Sequence, residues 1–347
     1  MKSKINKDTI FFVIVSIFAA LIVGFRGSTP DTQDYYDVFK NISTLPLLNP
    51  YQFYQDTGME IGFGWFAYIV NLFTSSGVVM FTIFSLLNFY LIYRTTKYLD
   101  INFIYSIVFY ITSSYFIMMQ FMQMRQGLAV SLVIFTVVSA IKNGLKFNQL
   151  LLILLAVSLH QSTIFLIIFC LIFYFLRNKK IFSANNQKLT NWSLFIIFIV
   201  IFKFWLLNLL INLSGRLQSY ANSNTFNEAV ELFSPPNIRT FLILILLTYF
   251  SSENLNKNIY FRLFLFLMFI ALSIRIGFSD FGIMSGRLST AFSYVEIFAL
   301  SMLLFDRFKV RARTAILILF ALLQLFITLH FQAPYLLEMY FNPLYSY

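Results

Sequence analysis

In a chain where only 11% of residues are charged, the stretch "FMQMRQGLAVSL" sets Arg125 and Gln126 between two long apolar runs, with Gln120 and Gln123 just before them. A guanidinium in apolar surroundings is costly unless it snorkels, pairs with an acid or lines a wet cavity. The nearest acids in sequence are Asp100 and Glu228. An ion pair along one helix surface is therefore excluded, and the partner of Arg125 must come from elsewhere in the fold or from a ligand. Arg26, Arg216, Arg275 and Arg287 stand at comparable ends of apolar runs. Several fork-shaped donors in a charge-poor chain suit an anionic ligand.

A second group of residues could move or hold a proton. His160 closes "LLILLAVSLH" and is followed by "QST"; near neutral pH an imidazole can act as a base or donate to a phosphate, or it can simply bridge two helices. Asp31, Asp34, Asp37, Asp56 and Glu60 lie in a segment that also holds Tyr35, Tyr36, Tyr51 and Tyr54. Carboxylates beside aromatic rings suit sugar hydroxyls and ring faces, though acidic loops are also merely soluble. Glu296 is the one acid expected well inside an apolar block, with Lys203 as its basic counterpart and Tyr294 close by. The tripeptide Asp280-Phe281-Gly282 lacks the Gly-rich and catalytic-loop sequences that would make it a kinase motif, while Gly286 is expected to make a tight turn before Arg287. The single Cys170 leaves no disulfide or thiolate metal site, and His160 and His330 are too isolated to form a metal signature.

These side chains need elements that carry them through a bilayer. Hydrophobic residues make up 59% of the chain, the mean hydropathy is +0.77, and the apolar residues fall in blocks separated by short polar spacers. This composition marks an all-α polytopic membrane protein. The first block follows Lys2, Lys4 and Lys7 but lacks a small-residue cleavage site, and reads as a retained helix. Blocks near 9–25, 77–93, 101–119, 124–141, 148–160, 162–176, 191–213, 239–250, 259–275, 287–305 and 313–330 predict about eleven transmembrane helices. With that count most of the 25 Lys and Arg residues fall on the side of the N-terminus, including Lys179, Lys180, Lys188, Arg307, Lys309 and Arg311, so the N-terminus is expected in the cytoplasm. The net charge of +11 then reflects orientation and gives no support to nucleic-acid binding. Residues 61–73 are apolar but short, and read as a re-entrant or interfacial segment that preserves the charge bias. A single domain is expected over 1–347, with outer loops at 26–60 and 214–238; the latter holds an amphipathic piece ending at Pro235 and Pro236 and is expected to act as a lid.

Several stretches in this order, "FRGSTPDTQDYYDVF" (25–39), "EIGFGWF" (60–66), "MRQGLAVSL" (124–132), "KFNQLLLILLAVSLHQSTIFLI" (146–167) and "GRLSTAFSYVEI" (286–297), resemble the EpsG-like members of the Wzy-type O-antigen and exopolysaccharide polymerases. The resemblance implies a multi-pass enzyme of the bacterial inner membrane. Such an enzyme joins oligosaccharide repeat units carried on undecaprenyl diphosphate at the outer leaflet, without a metal or any cofactor. The donor and acceptor would both be undecaprenyl-diphosphate-linked glycans, and a chain-length regulator protein would be a partner. The family's Arg-Gln pair at the start of a span corresponds to Arg125 and Gln126, and its histidine closing a short helical pair to His160; Arg216 corresponds to an arginine of its long outer loop. The implied chemistry assigns diphosphate binding to Arg125, Arg216, Arg275 and Arg287, and a catalytic role to one or more of His160, Asp34 and Glu60. Gln126, Tyr35 and Tyr294 would support the site or hold sugar. One-step displacement of the diphosphate would invert the anomeric configuration. A flippase for the same lipid-linked glycans, an O-antigen ligase or an O-acyltransferase of the same pathway would share such a site.

Overall fold

The computed structural model describes residues 7–184, 186–207, 209, 211, 229–332 and 334–342, and the fold is all-α. Helix starts follow short polar residues set before apolar runs. Asn49, Ser76, Asn102, Ser252 and Asn258 each accept a hydrogen bond from a backbone N–H of the helix that follows, satisfying donors that a first helical turn leaves open. In chain order the helices are α1 (Lys7–Gly24), α2 (Thr32–Lys40), α3 (Pro50–Thr57), α4 (Ile61–Asn71), α5 (Gly77–Leu99), α6 (Phe103–Ile111) and α7 (Ser114–Phe116). There follow α8 (Met124–Asn143), α9 (Phe147–Leu159), α10 (Thr163–Leu176), α11 (Gln187–Ile201), α12 (Pro235–Phe250) and α13 (Glu253–Lys257). The last are α14 (Ile259–Gly277), α15 (Gly282–Ser293), α16 (Glu296–Arg307), α17 (Val310–Ile327) and α18 (Leu336–Phe341).

The expectation of about eleven crossings is corrected. Five helical stretches among the described residues are long and apolar enough to cross a membrane: Gly77–Leu99, Met124–Asn143, Gln187–Leu206, Ile259–Gly277 and Val310–Phe331. Two pairs, Phe103–Ile111 with Ser114–Met122 and Gly282–Ser293 with Glu296–Arg307, bend by 73° and 40° and raise the number to seven if each is one span. The reason is length. The blocks at 9–25, 148–160, 162–176 and 239–250 form α1, α9, α10 and α12 of 18, 13, 14 and 16 residues, and at about 1.5 Å per residue these reach only roughly 20 to 27 Å against a hydrocarbon core of about 30 Å. The block at 101–119 carries no charge but breaks at Thr112 and Ser113. The side of the N-terminus was inferred from the eleven-span count and falls with it, and residues 1–6 lie outside the described residues.

The chain divides into two compact units, Met1–Ile167 with Val310–Tyr347, and Ile168–Lys309. In the first, α8 is the core helix, with 89% of its apolar window buried; it packs against α5 and α9, and α5 also packs against α1. A π-helical turn, Ile117–Met122, lies directly on the start of α8. Gly127 makes this approach possible, because a Cβ there would stand 2.4 Å from the Met119 carbonyl oxygen. Arg26 holds the same turn from the other side: its guanidinium donates to the carbonyls of Val23 at 3.0 Å and Phe121 at 3.4 Å and lies 4.1 Å from the Phe81 ring centroid. Thr29 donates to the same Phe121 carbonyl at 3.1 Å. At Gly62 a Cβ would stand 2.6 Å from the Ser158 carbonyl oxygen, so the first turn of α4 and the last turn of α9 touch backbone to backbone.

In the second unit α14 is the core helix, packed against α11, α12, α15 and α16, with a dense aromatic cluster of Phe169, Phe173, Phe182 and Phe266 beside it. Gly286 lies within α15, where the sequence suggests a tight turn, and nothing comes within 4 Å of a Cβ added there.

These contacts predict opposite outcomes for three alanine substitutions. Gly62→Ala and Gly127→Ala should each destabilise the purified protein by about 1 to 3 kcal/mol through overpacking, whereas Gly286→Ala should be neutral or stabilise by about 0.5 to 1 kcal/mol. Thermal unfolding in one detergent checks the order of the three.

Candidate functional site

Arg125 occupies the first turn of α8, at the end where the helix dipole is positive and a cation is disfavoured. Its compensation comes from Glu60, which stands 65 positions earlier in the chain. Glu60 is the residue that opens α4, yet its carboxylate makes no cap bond to its own helix. One carboxylate oxygen accepts from Arg125 Nη1 and the other accepts from the backbone N–H of Gln161 at 3.0 Å. The two side chains are 11% and 12% exposed, so the pair is shielded without being sealed. The partner of Arg125 is thus a residue distant in sequence, one of the two possibilities that its lack of near acids allowed.

The Gln161 amide is available because the chain turns sharply between α9 and α10. His160 ends α9 in an extended conformation, and Thr163 returns both its backbone N–H and its hydroxyl to the His160 carbonyl. His160 Nδ1 accepts from the backbone N–H of Ser162 at 3.2 Å and lies 2.9 Å from the Ser162 hydroxyl. That arrangement places the proton of a neutral imidazole on Nε2, because Nδ1 is used as an acceptor. The Gln161 side chain donates to the Tyr54 hydroxyl at 3.3 Å. The close approach at Gly62 brings this turn within reach of Glu60.

Tyr35 forms another wall. Its ring centroid lies 5.5 Å from the Arg125 guanidinium carbon and 5.2 Å from the Phe63 ring, and its hydroxyl donates to the Met122 carbonyl at 3.4 Å. Burial pushes the Tyr35 hydroxyl above its usual range, opposed by the nearby positive charge of Arg125 and reinforced by Asp31. It therefore stays a neutral donor. Asp34, one residue earlier on α2, points to the exposed face and is not gathered with Glu60, Arg125 and His160. Gln126 is fully buried in the first turn of α8 beside Arg125.

The remaining sequence candidates belong to the second unit. Glu296, 1% exposed, is held by Arg239, whose two terminal nitrogens each donate to one carboxylate oxygen. The expected partner of Glu296 was Lys203, which instead lies 3.6 Å from Asp280 in an exposed pair. Arg239 stands eight residues after Glu231, and it follows Pro235 and Pro236 at the head of an apolar helix much as Arg125 heads α8; that likeness was the available signal. Arg275 donates through Nε to the Asn237 side-chain oxygen and through Nη1 to the Ser289 hydroxyl at 3.3 Å. Arg287 is half-buried on α15 with Ser289, and Tyr294 is fully buried at the bend between α15 and α16. Arg216, and most of the 214–238 loop, lie outside the described residues. Among the described residues no three of His, Cys, Asp and Glu are grouped as a metal site would need.

Removing one member of the Glu60–Arg125 pair leaves a shielded charge uncompensated. Arg125→Ala and Glu60→Ala should each cost about 2 to 4 kcal/mol of stability, and the double variant should cost less than the sum by about 1 to 2 kcal/mol. Unfolding of the four proteins in the same detergent measures the coupling, and strict additivity would show that the pair contributes nothing to the fold.

The family model described as EpsG family matches residues 9–346. No curated protein and no solved structure matches the chain. With the match running over nearly its whole length, and with helices long and apolar enough to cross a bilayer more than once, this multi-pass membrane protein belongs to the EpsG family.

Proposed function

We propose that the protein is a polysaccharide polymerase that joins undecaprenyl-diphosphate-linked oligosaccharide repeat units at the outer face of the bacterial inner membrane. Family membership supports a role in polysaccharide polymerisation. The observation that carries the mechanism is the Glu60–Arg125 pair, shielded and within one residue of His160 through the Gln161 amide. An acceptor hydroxyl attacks the anomeric carbon of the donor sugar, the bond from that carbon to the diphosphate oxygen breaks, and the hydroxyl proton must go to a nearby base. Glu60 is assigned as that base, and Arg125 as the cation that meets the charge gathering on the leaving diphosphate. A guanidinium can serve both at once because its fork presents donors on more than one edge.

The tautomer of His160 refines its role. With Nδ1 committed to Ser162, the imidazole offers an N–H from Nε2, which suits hydrogen bonding to a phosphate oxygen better than taking a proton. Asp34, on the exposed face of α2, is assigned to the sugar rather than to the reacting hydroxyl. Tyr35, whose ring lies against the Arg125 guanidinium, and Gln126 are assigned to support Arg125, and Arg275 and Arg287 to anionic groups of the substrate within their own unit. A single displacement inverts the anomeric centre.

Purified protein supplied with a defined lipid-linked repeat unit should give a ladder of polymers, and linkage analysis of the product should show inversion. A flippase would give no ladder, and a ligase or acyltransferase would give a single addition; each result would overturn the reading. Arg125→Lys keeps the charge but loses the fork, and at matched protein level should lower kcat/KM about tenfold to a hundredfold, the worth of one hydrogen bond to a charge. Glu60→Gln should lower kcat more than KM, and cells carrying either substitution should accumulate single repeat units.

A further inference from the structure

Gln161 makes two bonds in different directions. Its backbone N–H donates to Glu60 at 3.0 Å and its side-chain nitrogen donates to the Tyr54 hydroxyl at 3.3 Å. Gln161 is exposed and Tyr54 half-buried, so the bridge between them stands at the surface, directly beside the shielded Glu60–Arg125 pair. We propose that Tyr54 and Gln161 bind the sugar that carries the attacking hydroxyl, a neutral pyranose of the acceptor glycan. The proposal rests on the polymerase reading of the Glu60–Arg125 site and adds to it the place of the acceptor.

The direction of approach is set by burial. Behind Arg125 the Tyr35 and Phe63 rings are 1% and 0% exposed, which closes the inner side of the pair to a ligand. A hydroxyl that passes its proton to Glu60 must come within hydrogen-bond distance of that carboxylate. It therefore arrives from the surface, where one oxygen of Glu60 already meets Gln161, and the ring that bears it lies against Gln161 and Tyr54. Both side chains are positioned in advance by two glycines of α4. The absent side chain of Gly62 admits the end of α9 and the turn that carries Gln161; a Cβ at Gly64 would stand 2.6 Å from the Phe53 ring, so α3 packs just as closely on α4. Phe53 is fully buried, and Gly58, with φ 66°, ends α3 by returning its N–H to the Tyr54 carbonyl at 2.8 Å. The path from Tyr54 to Glu60 is tied again at Thr57, whose hydroxyl donates to the Phe53 carbonyl at 2.7 Å and accepts from the Met59 N–H at 3.1 Å. The chemistry is that of a neutral sugar site. With its nitrogen on Tyr54, the Gln161 carboxamide presents its oxygen to a hydroxyl, and the Tyr54 ring offers an apolar face to the C–H side of a pyranose while its own hydroxyl is held. Neither side chain is charged, so neither selects a uronic acid.

The cell's own repeat-unit oligosaccharide, prepared as its methyl glycoside, has the hydroxyl but no diphosphate, so it can accept and cannot donate. With reconstituted protein and the lipid-linked repeat unit as donor, its KM reads the acceptor subsite apart from the donor's. Tyr54→Ala and Gln161→Ala should each raise the acceptor KM about threefold to tenfold, the worth of one neutral hydrogen bond or a small apolar contact, and leave the donor KM unchanged. Gln161→Ala keeps the backbone N–H that meets Glu60, so its effect should fall on KM and spare kcat. Gln52→Ala, on the exposed side of α3, should change neither constant. An unchanged acceptor KM in both variants would overturn the proposal, as would an equal rise in the acceptor and donor constants, or linkage analysis that places the accepting hydroxyl on an acidic sugar. If the unaltered protein polymerises nothing, the polymerase reading fails by itself, and saturation-transfer NMR of the same methyl glycoside, in a detergent without a sugar head, still tests the subsite. Transfer that Tyr54→Ala and Gln161→Ala abolish would support it; transfer that survives both, or is absent from the unaltered protein, would overturn it.

Discussion

Arg125 sits where electrostatics is least favourable to it, at the positive end of the buried helix α8 and in a chain with few acids to offer. A carboxylate must be brought to that point, and much of the first unit is arranged to bring it. Glu60 gives up capping its own helix to face Arg125. The turn after α9 supplies Glu60 with a backbone amide, and the missing side chain of Gly62 lets that turn come close enough. The π-helical turn before α8 is fixed by Arg26 and Thr29 on one carbonyl and by Gly127 from beneath. These contacts lie around one charge pair and hold the elements that carry it.

Much of this site could be read from residue types. Arg125, His160 and Glu60 are polar groups at the edges of apolar runs, and their expense in such surroundings is what draws attention to them. What could not be read was who meets whom. Glu60 and Arg125 are 65 residues apart, and nothing in either neighbourhood selects the other. The pairing of Glu296 with Arg239 over Lys203 has the same cause: by sequence a cation in the middle of an apolar run is the natural partner, but where the side chains converge depends on how α12 lies on α16. Asp34 and Tyr35 are adjacent, and the helical pitch alone sends one outward and the other inward.

The count of spans went astray for a different reason. Hydropathy reports that a block is apolar, and it says little about whether the block stays one straight helix. The run at 101–119 has no charge to mark its break, and the 73° bend falls where Thr112 and Ser113 turn their hydroxyls back to the carbonyls of Val108 and Tyr110. Such back-bonding competes with the regular helical ladder, but in most helices it is harmless, so sequence alone does not single out the place. Blocks of 13 or 14 residues are ambiguous in the same way, since a tilted or lengthened helix and a short one share a composition.

The short helices also act on the bilayer. A 13-residue α9 presents an apolar flank of only about 20 Å, and Leu150, Leu151, Leu154 and Leu155 are exposed along it. Hydrocarbon chains beside such a flank must compress or tilt to avoid uncovering polar backbone, at a cost of fractions of a kcal/mol per Å of mismatch. A short apolar flank and a straight span of full length thus place different demands on the lipid beside them.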